Sequence, residues 1–146
     1  GRGVTAIVAS AAAGAAALDR AEALLSAVGK VVRLESEAQM DAVTAVSGSG
    51  PAYVFHLIEG LAAAVEAEGL SPDLAMELAK GTVAGAGALA EASEEAPEQL
   101  RRNVTSPGGT TEAGLSVLMD EESGLAPLLR RTVAAAARRS RELRDG

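Results

Sequence analysis

Residues 104–115 read VTSPGGTTEAGL, two adjacent glycines directly before a run with helical character. Gly108 and Gly109 carry no Cβ, so they reach backbone angles closed to other residues and let a ligand approach the chain. The helix expected over 111–119 leaves its first N–H groups without intrahelical acceptors, at the positive end of its dipole. With the amides of Gly109, Thr110 and Thr111 directed outward, the loop suits a carboxylate or a phosphate. Thr105, Ser106, Thr110 and Thr111 add hydroxyls that can orient a bound group. A tight turn followed by a capped helix has the same spacing. On spacing alone, anion binding and a plain capped turn explain the stretch equally well.

Helical signals extend outward from this loop in both directions. Downstream, Ser123-Gly124 precedes a helix to about Arg144, with Leu125, Leu129, Val133 and Ala136 on one side. Upstream, Pro97 opens a short helix to about Asn103. Ser71 and Pro72 stand as N-cap and first residue of a longer helix that carries Leu74, Leu78, Thr82, Gly85 and Leu89 down one face. Gly81 and Gly85 lie one turn apart there, where another backbone could approach. Pro51 starts a helix with the stripe Val54, Ile58, Leu61 and Val65, which Gly69 stops. Ser36 and Gln39 have capping-box spacing and open a short helix to about Ala45, which the glycine-rich Ser47-Gly48-Ser49-Gly50 breaks.

Before Ser36 the pattern changes. Residues 4–9 (VTAIVA) and 30–34 (KVVRL) are β-prone, and residues 18–28 between them have helical spacing, with Gly29 in the position of a helix C′ glycine. Strand, helix, strand is a βαβ unit, which needs further strands beside it to bury its sheet. The expected class is mainly α: a helical domain over residues 37–146, preceded by a βαβ remnant over residues 1–36.

Composition narrows the function. The chain has 146 residues, 48% hydrophobic but only 1% aromatic, so its core is built from Leu, Val, Met and much Ala. Thirteen basic against 20 acidic residues give a net charge of −7, which argues against nucleic acid as a partner. The arginines at 130, 131, 138, 139, 141 and 144 suit the negative end of a helix dipole better than a nucleic-acid patch. There is no cysteine and one histidine, so thiolate catalysis is excluded and no metal site is expected. Residues 6–18 mimic the apolar core of a signal peptide but are Ala-rich and too short to span a bilayer, which takes about 20 apolar residues. No membrane partner is expected. The absence of an initiating Met points to a fragment or processed chain.

Other segments carry weaker signals. Gly1-Arg2-Gly3 with Ala6, and Gly85-Ala86-Gly87 with Ala90, satisfy the dinucleotide pattern G-x-G-x-x-G/A in letters only. The fingerprint works at a strand-to-helix turn, and neither string occupies one. The small residues of VSGSGPAYVF (46–55) could admit a planar ring, although spacing alone favours a helix–helix turn. His56 falls off the Val54–Ile58 stripe and reads as a solvated or interface histidine. Glu94 and Glu95 read as surface loop, with Glu94 retaining a possible place near a substrate.

At these two segments the chain resembles pyrroline-5-carboxylate reductase. The matching stretches are MDAVTAVSGSGPAYVF (40–55) and the signature PEQLRRNVTSPGGTTEAGLSVL (97–118), with the GTVAGA run (81–86) in order between them. Upstream, GRGVTAIVA and LLSAVGKVVRLESEAQMDAV are similar to the last strand–helix–strand of the family's Rossmann-type dinucleotide domain. Met119 departs from the acidic or amide residue expected there. The resemblance implies NAD(P)H-dependent reduction of 1-pyrroline-5-carboxylate to L-proline, in a cytoplasmic homodimer or higher oligomer. It implies that NADP(H) or NAD(H) is bound mainly by an N-terminal domain outside this chain, which alone would then be inactive. Ser106, Gly108, Gly109, Thr110 and Thr111 would bind substrate, with Thr111 as the catalytic candidate, and Ser47, Gly48, Ser49, Gly50 and Pro51 would lie beside the nicotinamide. Two alternatives stand against this: a catalytically silent helical dimerisation module, and the helical domain of another two-domain dehydrogenase.

Overall fold

The structure, a computed structural model, describes residues 3–10 and 12–146. The letter pattern beginning at Gly1-Arg2 and the apolar run through Ala11 therefore lie partly outside the described residues. The chain divides into two compact units, residues 1–50 with 131–146 and residues 51–130.

In the first unit, β1 (Gly3–Ile7) and β2 (Gly29–Arg33) pair in parallel, in register from Gly3 opposite Gly29 to Ile7 opposite Arg33. Between them runs α1 (Ala15–Leu25). A parallel pair needs such a crossover, and the β-branched residues of both strands favour the extended chain. Arg33 fastens the helix to the strand: its guanidinium donates to Asp19 at 2.7 Å and, through Nε, to Glu22 at 2.7 Å. Gly29 is not the helix C′ residue. The helix ends at a turn capped by Ser26, and Gly29 begins β2, where a Cβ would stand 2.5 Å from the Gly3 carbonyl oxygen. Close strand approach, not a left-handed cap, is what requires glycine there. No residue of α1 is buried, and Leu24 and Val28 are exposed, as expected of a βαβ unit with few neighbours.

The next turns wind three ways. A 3-10 turn (Glu37–Gln39) passes into α2 (Met40–Val43) and then a π-helical turn (Thr44–Gly48). The Gln39 side chain reaches back as a capping box requires, accepting from the Glu35 N–H at 2.8 Å and the Ser36 N–H at 3.3 Å. The expected break over Ser47–Gly50 is instead a widened helix. Ser49 stays in the right-handed region and its N–H donates to the Thr44 carbonyl, five residues back, at 3.0 Å. Small side chains let the backbone widen without leaving helical angles.

The second unit is helical: α3 (Gly50–Ala67), α4 (Pro72–Ala92), α5 (Pro97–Asn103), α6 (Thr110–Leu118) and the start of α7 (Leu125–Asp145). Gly69, at φ +100°, ends α3 in a Schellman turn: its N–H donates to Glu66 and that of Leu70 donates to Val65. Pro72 opens α4 as expected, although the Ser71 side chain makes no cap bond. Ala62, Ala75 and Ala79 form the buried contact between α3 and α4, with Ile58, Val65 and Met76 packed around it. The expected stripe of α4 is not what it buries: Leu74, Leu78 and Leu89 are exposed. Among the described residues the buried apolar side chains are alanines, together with Pro127. Small residues let helices come close, and the larger apolar groups are left outward. Among the described residues no helix is long and apolar enough to cross a membrane. The architecture is a helical domain following a βαβ segment of Rossmann type.

Candidate functional site

The loop between α5 and α6 is built by four local bonds. Thr105 donates its hydroxyl to the Arg101 carbonyl at 2.6 Å, closing the end of α5. The Gly109 N–H donates to the Ser106 carbonyl at 3.0 Å, and the Ala113 N–H begins the helical ladder on the Gly109 carbonyl. Gly108 sits at φ +70°, in the left-handed region, where a side chain would be strained. Its N–H donates to the Glu112 carboxylate at 2.7 Å. Gly109 is also tight, since a Cβ there would meet the Ser106 carbonyl oxygen at 3.0 Å.

These bonds revise the donor set. The Gly109 amide is engaged within the turn, and the free donors are the first-turn amides of Thr110, Thr111 and Glu112. The unpaired amides at the start of α6 thus begin one residue later than expected. Thr111 also lines a cavity of about 380 Å³, with Leu89, Leu100, Val104, Leu115 and Arg101 among its walls. A mostly apolar lining with Thr111 and Arg101 as its polar residues suits a small ring bearing a polar substituent. Composition and spacing did not single out Arg101 or Glu112. A carboxylate four residues after a glycine, at the third position of a helix, was the available signal for Glu112.

The other candidate segment, Ser47, Gly48, Ser49 and Gly50, forms the π-helical turn and the entry to α3, with Pro51 next in that helix. The Ser47 hydroxyl donates to the Val4 carbonyl at 3.2 Å, so it ties the turn to β1. Single π-turns inside helices recur at functional sites. His56 is exposed and pairs with Glu59 at 3.0 Å, as a solvated histidine does. Glu95 accepts from the Asn103 side chain at 3.0 Å, a surface contact.

Gly85 and Gly87 lie inside α4, far from any helix start, so their amides are spent within the helix. The string from Gly85 to Ala90 is therefore not a pyrophosphate-binding turn. Among the described residues, no group of three acidic or histidine side chains could hold a metal ion.

Residues 37–143 match the family model for pyrroline-5-carboxylate reductase dimerisation. Over 144 residues the chain is 45% identical to the pyrroline-5-carboxylate reductase of Pseudomonas aeruginosa, covering 99% of this chain and 52% of that protein. The solved pyrroline-5-carboxylate reductase of Coxiella burnetii superposes with a TM-score of 0.89 at 39% identity, covering 97% of this chain and 52% of that one. The Plasmodium falciparum enzyme, solved with NADP bound, superposes with a TM-score of 0.76 at 29% identity, covering 92% and 51%. The chain spans about half the length of the curated relatives it matches. By the extent and identity of these matches, the chain belongs to the pyrroline-5-carboxylate reductase family.

Proposed function

We propose that residues 37–146 are the substrate-binding and dimer-forming part of a reductase that converts 1-pyrroline-5-carboxylate to L-proline. Residues 1–36 are then the last strand–helix–strand of its dinucleotide-binding domain. The observation that carries the reading is Thr111, whose amide is a first-turn donor and whose residue lines the cavity of about 380 Å³. The amides of Thr110 and Thr111 bind the substrate carboxylate, while Ser106, Gly108 and Gly109 shape the loop. The Thr111 hydroxyl hydrogen-bonds the ring nitrogen. A threonine hydroxyl is too weak an acid to donate alone at neutral pH, so it orients the ring and relays a proton from water.

Reduction adds a hydride to the C=N carbon and leaves the ring nitrogen protonated, with NADPH or NADH as the hydride source. The described residues do not fit the pyrophosphate of that cofactor, which belongs with the remainder of the dinucleotide domain. The turn at Ser47, Gly48, Ser49, Gly50 and Pro51 takes the nicotinamide end through its small side chains. The protein works as a cytoplasmic homodimer or higher oligomer, supported by the dimerisation match and by the exposed leucines of α4.

The test is a titration of L-proline into the chain, followed at backbone amides by NMR. Shifts centred on residues 106–111 are expected. A dimer whose loop amides do not respond is instead a catalytically silent dimerisation module.

A further inference from the structure

Glu112 occupies an unusual position in this loop. It is the third residue of α6, at the positive end of that helix, and its carboxylate is turned back onto the Gly108 N–H at 2.7 Å. Gly108 is one of two residues with positive φ among those described, and it is the point where the chain reverses into the helix. Gly109, next to it, is held by the Ser106 carbonyl. The direction of the Thr110 and Thr111 amides therefore depends on two bonds, one of them made by a side chain. The acceptor in that bond is a side-chain oxygen, Oε2 of Glu112.

We propose that Glu112 is a positioning residue, bracing the left-handed turn at Gly108 so that the Thr110 and Thr111 amides are set before the substrate arrives. This rests on the reading of residues 106–111 as the substrate loop. The brace has an electrostatic cost, because a negative side chain shares the helix end that attracts the substrate carboxylate. What the site requires of Glu112 is its accepting oxygen, not its charge.

The experiment measures steady-state kinetics in a polypeptide that includes an upstream nucleotide-binding domain, with Glu112→Ala, Glu112→Gln and Thr111→Ala compared. Glu112→Ala removes the acceptor and is expected to raise KM for pyrroline-5-carboxylate about 5- to 10-fold, the usual weight of one such bond, with kcat changed less than twofold. Glu112→Gln keeps an oxygen acceptor and sheds the charge, so KM returns to the parent value or falls below it. Glu112→Ala with KM at or below the parent value overturns the proposal, as does Glu112→Gln matching the loss in Glu112→Ala. A general folding defect would lower the active fraction and kcat without this split. Thr111→Ala separates the premises: unchanged turnover there refutes the substrate-loop reading itself, whereas a loss there with a silent Glu112→Ala refutes only the brace.

Discussion

Asp41 and Arg144 meet as an ion pair of 2.6 Å, joining residues 103 positions apart in sequence. The other Asp41 carboxylate oxygen accepts the Ser140 hydroxyl at 2.8 Å, and the Asp41 side chain is buried. Through this contact the end of α7 is fastened to α2 within the first unit. The Ser140 hydroxyl, then Arg144 and Arg141, hold the Asp41 carboxyl below its ordinary value against the opposing effect of desolvation.

A carboxylate with a lowered folded value adds stability above its unfolded value, about 3.9, and loses it as pH falls through the folded one. Asp41→Asn is therefore expected to lower the melting temperature at pH 7. The gap between variant and parent should narrow as pH drops below about 4. Parallel thermal melts from pH 7 to pH 2.5 check this, and a gap independent of pH would contradict it.

Gly69 closes α3 at φ +100° with open space around it. Gly69→Ala is expected to cost about 1 kcal/mol from backbone strain alone. Denaturant unfolding at fixed protein concentration measures it, and a stabilised variant would contradict the assignment.

Thr111→Ala is expected to reduce kcat on the order of 10²-fold, the low end for an oriented polar group, with a smaller effect on KM. Gly109→Val brings a Cβ within 3.0 Å of the Ser106 carbonyl oxygen and should raise KM by disturbing the turn. Both are measured as NADPH oxidation in a polypeptide that includes the nucleotide-binding domain. Full turnover in Thr111→Ala would refute the reading of residues 106–111 as the substrate loop.

Leu74 and Leu78 stand 45% and 47% exposed on α4, beside the open surface at Gly81 and Gly85. The chain is expected to be at least a dimer at high micromolar concentration, and the double variant Leu74→Asp, Leu78→Asp a helical monomer. Light scattering after size exclusion, with circular dichroism, decides both. A monomeric parent would refute this.

Local chemistry made much of the fold readable. Pro72 and Pro97 start helices because their fixed φ suits a first turn, and Gly69 ends one because it alone accepts a left-handed angle cheaply. The turn at Thr44–Gly48 was not readable, since Ser and Gly signal a break while the closing bond to Thr44 depends on the helix around it. Periodicity found an apolar face on α4 through Leu74 and Leu78. It could not reveal that Ala75 and Ala79 would take the intrachain contact, because alanine carries little amphipathic signal. At the loop, the glycines and the helix start were evident, whereas the loss of the Gly109 amide to Ser106 required the turn geometry.

An interior centred on alanine also shapes how the chain responds to temperature. Unfolding heat capacity rises with the apolar area newly exposed to water, and an alanine releases far less of it than a leucine. A dissociated chain should therefore fall below the usual value of about 12–15 cal/mol/K per residue and show a flat stability curve. Covering the leucine faces by association supplies the missing area. The curvature of stability with temperature is then a property of the assembly, and it shifts with protein concentration.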